Sequence, residues 1–147
     1  MSRLLVRRPS PLLADGELTH LDRVPVDPDL ALAQRRGYVD AFRQRGWEIV
    51  EVDPADDQPD GVFVEDAVVV FDDFAVLCRA GASSRRGEAE TIAAAVSALG
   101  LEHAPIEEPG TLDGGDVLKV GRTVWVGQSS RTNEAGIAQL RALVEPR

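Results

Sequence analysis

The sequence predicts a mixed α/β fold made of repeated modules arrayed like the blades of a propeller. Three observations carry this reading. Two segments repeat one order of elements: an acidic start, two short apolar runs, a polar turn and a helical pattern. Asp66 and Asp116 stand 50 residues apart in these copies, and Arg85 and Arg131 stand 46 apart. The paired apolar runs are joined by two-residue turns, so they read as hairpins. Hairpins demand antiparallel pairs, which argues against the competing doubly wound parallel sheet. A weaker third copy opens the chain.

In chain order, Leu4-Leu5-Val6 is a strand. Asp27-Pro28 reads as N-cap and first position of a helix. Leu30, Ala33, Tyr38, Ala41 and Phe42 form its expected apolar face, and Gly46 ends it. Gly37 inside this helix weakens it. Trp47 to Val52 is the following strand. In the second copy, Val68 to Phe71 and Phe74 to Cys78 flank the turn Asp72-Asp73. Ile92, Ala95, Val96 and Leu99 then recur at helical spacing before Gly100, and Leu101 to Ile106 closes the module as a strand. In the third copy, Val117-Leu118 and Val124-Trp125-Val126 flank Gly121-Arg122. Asn133 is a fitting N-cap for a helix with Ile137, Leu140 and Val144 on its apolar face. The expected modules are residues 1–57, 58–108 and 109–147 of a single incomplete domain. The third copy reaches Arg147 without a closing strand, which reads as truncation rather than a natural end on a helix.

Composition narrows the function classes. The 147 residues hold 44% hydrophobic and 28% charged side chains, ordinary for a globular protein. No apolar run is long enough to span a bilayer, and the start is too short in apolar residues for a signal peptide. The expectation is a cytoplasmic protein with no membrane partner. A net charge of -9 speaks against nucleic acid. Cys78 is the only cysteine and His20 and His103 are the only histidines, a set with no metal-ligand spacing. No metal or other cofactor is expected. Lys119, the only lysine, reads as an outward strand residue.

Asp60, Glu65 and Asp66 place three carboxylates within seven positions of an apolar stretch. Anions this close repel unless a cation or protons fill the site. A guanidinium is a flat cation that carboxylates bind bidentately. On a straight strand Glu65 and Asp66 face opposite ways, so both reach one ligand only if the chain bends there. The plain alternative puts Asp60 in a solvated turn and the Glu65-Asp66 pair on a strand edge. Arg85 and Arg131 each follow a serine at an expected helix start, and either can fork onto a carboxylate. Their plain alternative is a surface pairing with Glu88 or Glu134. In Asp113-Gly114-Gly115-Asp116 the glycines permit close backbone approach or positive φ, and a type I′ turn would use the same letters. Cys78 ends a strand pattern and reads as structural.

Taken together, Phe63-Val64-Glu65-Asp66, Ala80 to Glu88, Thr111 to Asp116 and Ser130-Arg131-Thr132-Asn133 resemble the dimethylarginine dimethylaminohydrolases in order and spacing. The resemblance implies a pentein-type α/β propeller of pseudo-symmetric ββαβ modules, here a partial one with about three of five modules. It implies that Asp60, Glu65 and Asp66 grip a substrate guanidinium or its surroundings. It implies that Arg85 and Arg131 hold the amino-acid end, and that Leu18 lies in a loop closing over the substrate. Asp113 stands where the family has a carboxylate near its catalytic histidine. In the family a cysteine attacks the guanidinium carbon, histidine protonates the leaving amine, and water releases citrulline. Neither catalytic residue has a match here, and Cys78, His20 and His103 are misplaced for the task. The expectation is thus a chain that binds a methylated arginine and is inactive alone. It should self-associate or pack on another chain through exposed edges. The alternatives are an arginine- or agmatine-deiminase-like pentein and a non-catalytic guanidino-binding module.

Overall fold

A computed structural model describes residues 2–18 and 21–147. His20 lies outside the described residues. The chain divides into two units, Met1–Val64 and Glu65–Arg147.

In the first unit, β1 (Arg3–Val6) pairs in parallel with β2 (Glu48–Glu51), Leu4 opposite Ile49. The crossover is α1 (Pro28–Arg43). Asp27 caps it as expected, with Oδ1 accepting from the backbone N–H of Asp29 at 3.0 Å and of Leu30 at 3.1 Å. Pro28 fits the first position because that N–H would have no helical partner. Gly46 ends the helix at φ +79°, where the Trp47 N–H reaches the Phe42 carbonyl. The buried stripe differs from the expected one. Leu30 and Tyr38 are about half exposed, and Val39 is buried. Ala31, Arg35 and Phe42 flank Val39 on the inner side. The reason is Arg35, whose stem lies along this stripe while its guanidinium donates to the Arg7 carbonyl and to Glu51. Counting only apolar residues assigns that place to others.

In the second unit, α2 (Val64–Ala67) leads into β3 (Val68–Phe71), which turns at Asp72-Asp73 into β4 (Phe74–Leu77). The pair is antiparallel, with Val69 opposite Val76. After a 3₁₀ turn at Ser83–Arg85 come α3 (Glu88–Ala98) and β5 (Glu102–Pro105), which pairs in parallel with β4. A second 3₁₀ turn at Gly114–Asp116 opens the antiparallel hairpin β6 (Val117–Val120) and β7 (Thr123–Val126), followed by α4 (Glu134–Val144). Hairpin and helix thus recur as the repeats predict, with a closing strand after α3 and none after α4, and no continuous parallel sheet forms among the described residues. Among them β7 pairs with β6 alone.

The core of this unit gathers Val69, Phe74, Val76, Cys78, Ile106, Leu112 and Leu140. Ile92 and Val96 bury the α3 face that the spacing predicts. Asn133 caps α4 through its Oδ1, which accepts from Gly136 N at 2.8 Å and from Thr111 N at 2.9 Å. Lys119 is exposed on β6, with its ammonium 5.1 Å from the Phe71 ring centre. No described helix is long and apolar enough to cross a membrane.

Candidate functional site

In the first unit, Asp60 is buried, which overturns the solvated-turn reading. Its Oδ2 accepts from the Glu17 N–H at 2.9 Å. A buried carboxylate holding a backbone donor fixes the chain there. Leu18 follows directly and is 46% exposed. Asp60 therefore ties down the loop from which Leu18 projects.

In the second unit, Glu65 and Asp66 lie on one helical turn and not on a strand edge. The turn is set from both sides. The Ala67 carbonyl accepts from Cys78 N at 2.9 Å, and Gly114 packs on the Glu65 carbonyl. Gly114 and Gly115 are absent from the positive-φ glycines, and the segment is a 3₁₀ turn, so the type I′ reading falls. Of the two roles expected for them, close backbone approach is the one Gly114 performs.

Arg85 joins two carboxylates. Its Nε and Nη2 donate to Oε1 and Oε2 of Glu88, each at 2.9 Å. Its Nη1 and Nη2 both donate to Asp66 Oδ2 at 3.1 Å. The Glu88 partnership was foreseen as a surface pairing, but the Glu88 side chain is 4% exposed. The Arg85-x-x-Glu88 spacing was the signal in the sequence, and burial could not be read from it. Arg131 is more exposed, and its Nε lies 3.2 Å from Asp113 Oδ2, so its carboxylate partner is Asp113.

The segment carrying Arg131 is held by hydroxyls that the sequence reading passed over. Thr132, fully buried, donates through Oγ1 to Asp116 Oδ2 at 2.7 Å and accepts from Asp113 N at 3.0 Å. Ser129 Oγ donates to the same Asp116 oxygen at 2.7 Å. Asp113 Oδ1 in turn accepts from Gly115 N at 2.8 Å.

Asp66, Cys78, Arg85, Glu88, Leu112 and Asp113 all line one small cavity. Burial raises the Asp66 carboxyl from its ordinary 3.8 to about 6, and the nearby Asp113 charge adds to this while Arg85 opposes it. Burial also pushes the Cys78 thiol far up, and the charges of Asp113 and Asp66 push it further. A thiol in that state is a poor nucleophile. Among the described residues no cluster of His, Cys, Asp and Glu is arranged to hold a metal ion. The cavity therefore suits recognition of charge more than bond breaking by its own thiol.

No protein-family model matches the chain. It is 58% identical over 144 residues to the N(G),N(G)-dimethylarginine dimethylaminohydrolase of Streptomyces coelicolor, covering 98% of this chain and 56% of that protein. It superposes on a mutant of the Pseudomonas aeruginosa enzyme complexed with citrulline with a TM-score of 0.93 at 37% identity. That match covers 99% of this chain and 57% of the other. The N-terminal domain of a cyanobacterial arginine dihydrolase shares the fold at 21% identity and a TM-score of 0.88. The chain thus spans little more than half the length of the relatives it matches. It shares the pentein-type α/β fold and aligns over nearly its whole length with dimethylarginine dimethylaminohydrolases, to which it is similar in both sequence and structure.

Proposed function

We propose that these residues form the substrate-gripping part of an amidinohydrolase that converts dimethylarginine and water to citrulline and dimethylamine. The observation that carries this reading is the charged cluster in which Arg85 bonds Asp66, with Asp113 lining the same small cavity and paired to Arg131. Carboxylates there suit a cationic guanidinium, and a fixed arginine suits the carboxylate of an amino acid. Leu18, Asp60, Glu65, Asp66, Arg85 and Arg131 are assigned to substrate binding, and Asp113 to supporting a catalytic histidine. No cofactor is required, and a cytoplasmic location goes with the reading.

The nucleophile and the proton donor are not Cys78, His20 or His103. Cys78 is buried with its thiol held protonated, which supports this exclusion. The 147-residue chain alone is therefore inactive and binds guanidino amino acids weakly, since charge pairs open to water count for less. Exposed Leu118, Val120 and Trp125 on the two-stranded β6–β7 hairpin support self-association or packing on another chain.

The test incubates the purified chain and its Cys78→Ser variant with dimethylarginine, assays citrulline, and follows binding by chemical-shift titration. Saturable shifts at Asp66 and Arg85 without turnover are expected. Turnover abolished by Cys78→Ser would make that thiol the nucleophile and overturn the assignment. Absence of any binding would remove the guanidino site itself.

A further inference from the structure

We propose that Glu88 is a positioning residue that presents one chosen edge of Arg85 to a ligand carboxylate. The inference rests on the reading above, in which Arg85 meets the amino-acid end of the substrate.

The geometry is specific. A guanidinium offers two edges that can take a carboxylate with two parallel hydrogen bonds. Glu88 occupies the Nε/Nη2 edge with both of its oxygens at 2.9 Å. Asp66 occupies the Nη1/Nη2 edge, but through one oxygen and at 3.1 Å. The two partners differ in exposure as well. The Glu88 side chain is 4% exposed and that of Asp66 19%. The Glu88 edge is thus closed, and the Asp66 edge is the one that can exchange partners.

Stability does not account for Glu88. A buried ion pair recovers about what its desolvation costs, and an apolar pair of the same shape serves a core as well. Glu88 opens α3 next to Gly87, an N-cap that supplies no side-chain hydrogen bond. An acidic side chain in the first turn suits the positive end of the helix. Glu88 is thereby a buried, doubly bonded anchor three residues from the arginine it holds. A ligand carboxylate then replaces Asp66 on the Nη1/Nη2 edge, and Asp66 is released toward the guanidinium of the same ligand. One displacement arms both ends of the site.

The experiment compares L-arginine with agmatine, which carries the guanidinium without the carboxylate, as ligands of the full 147-residue chain. Binding is measured by titration calorimetry for the wild type, Glu88→Gln and Glu88→Asp, with thermal melts to verify folding. Loss of the charged partner is expected to weaken L-arginine about tenfold in Glu88→Gln. Agmatine affinity should change less than about twofold. Glu88→Asp, which keeps the charge, should recover part of the L-arginine affinity. Equal loss for both ligands, or no loss for either in a folded variant, overturns the positioning role. A wild type that binds neither ligand overturns the guanidino-site reading and this proposal with it, an outcome distinct from an unaffected Glu88 variant.

Discussion

Gly114 rests directly on the carbonyl oxygen of Glu65: a Cβ built on Gly114 would stand 1.9 Å from it. No side chain fits in that space, so the approach of the 3₁₀ turn to α2 requires glycine. Since α2 carries Asp66, the glycine sets where one wall of the cavity stands. Gly114→Ala should destabilise the chain by roughly 2 kcal/mol or more, because backbone has to move. Urea denaturation measures this, and an unchanged midpoint would show that the two turns are not in contact.

Asp66 should make stability depend on pH. Its folded-state value, about 6, lies above its ordinary 3.8. A raised carboxyl binds its proton more tightly in the folded chain, so its contribution is full below 3.8 and lost as pH rises through about 6. The wild type should therefore lose stability relative to Asp66→Asn between those two values. Denaturation midpoints of both proteins across that range are the measurement, and a constant difference would contradict the raised value.

Cys78 should react slowly with thiol reagents. It is buried in the core cluster, and both burial and neighbouring carboxylates hold it protonated. Ellman-type labelling is expected to be at least about a hundredfold slower in the native chain than in denaturant, because the thiolate is the reacting form. Comparable rates in the two conditions would show an accessible thiolate.

Thr132→Val keeps the shape of the side chain and removes a hydroxyl that serves both Asp113 and Asp116. The buried Asp113 N–H then lacks its acceptor. A loss of about 1–3 kcal/mol follows from leaving such a group unpaired. Chemical denaturation gives the number, and wild-type stability would mean that water replaces the hydroxyl.

Asp27→Ala should remove the cap of α1 and cost about 1 kcal/mol, since two backbone donors lose their acceptor. The helical circular dichroism of the folded chain should change little. A variant as stable as the wild type would show that the cap adds nothing in this setting.

The sequence by itself determined the longer helices, the strands and hairpins, and their order. Asp27 and Asn133 cap the helices they were expected to cap, Gly46 and Gly121 take the positive φ of a helix end and a hairpin turn, and both hairpins lie where their two-residue turns predict. These features depend on neighbours in the chain, so a local pattern suffices to read them. Tertiary structure alone decided the rest. Glu65 and Asp66 form a helical turn because Gly114, 49 positions from Glu65, and Cys78 hold that backbone. Arg85 looked like a surface arginine until burial of Glu88 and the approach of Asp66 made it the centre of a charged cluster. Arg35 displaced the expected apolar face of α1 by reaching the Arg7 carbonyl. In each case the deciding energy is the desolvation of a charge or a backbone group, which depends on what packs against it from distant parts of the chain.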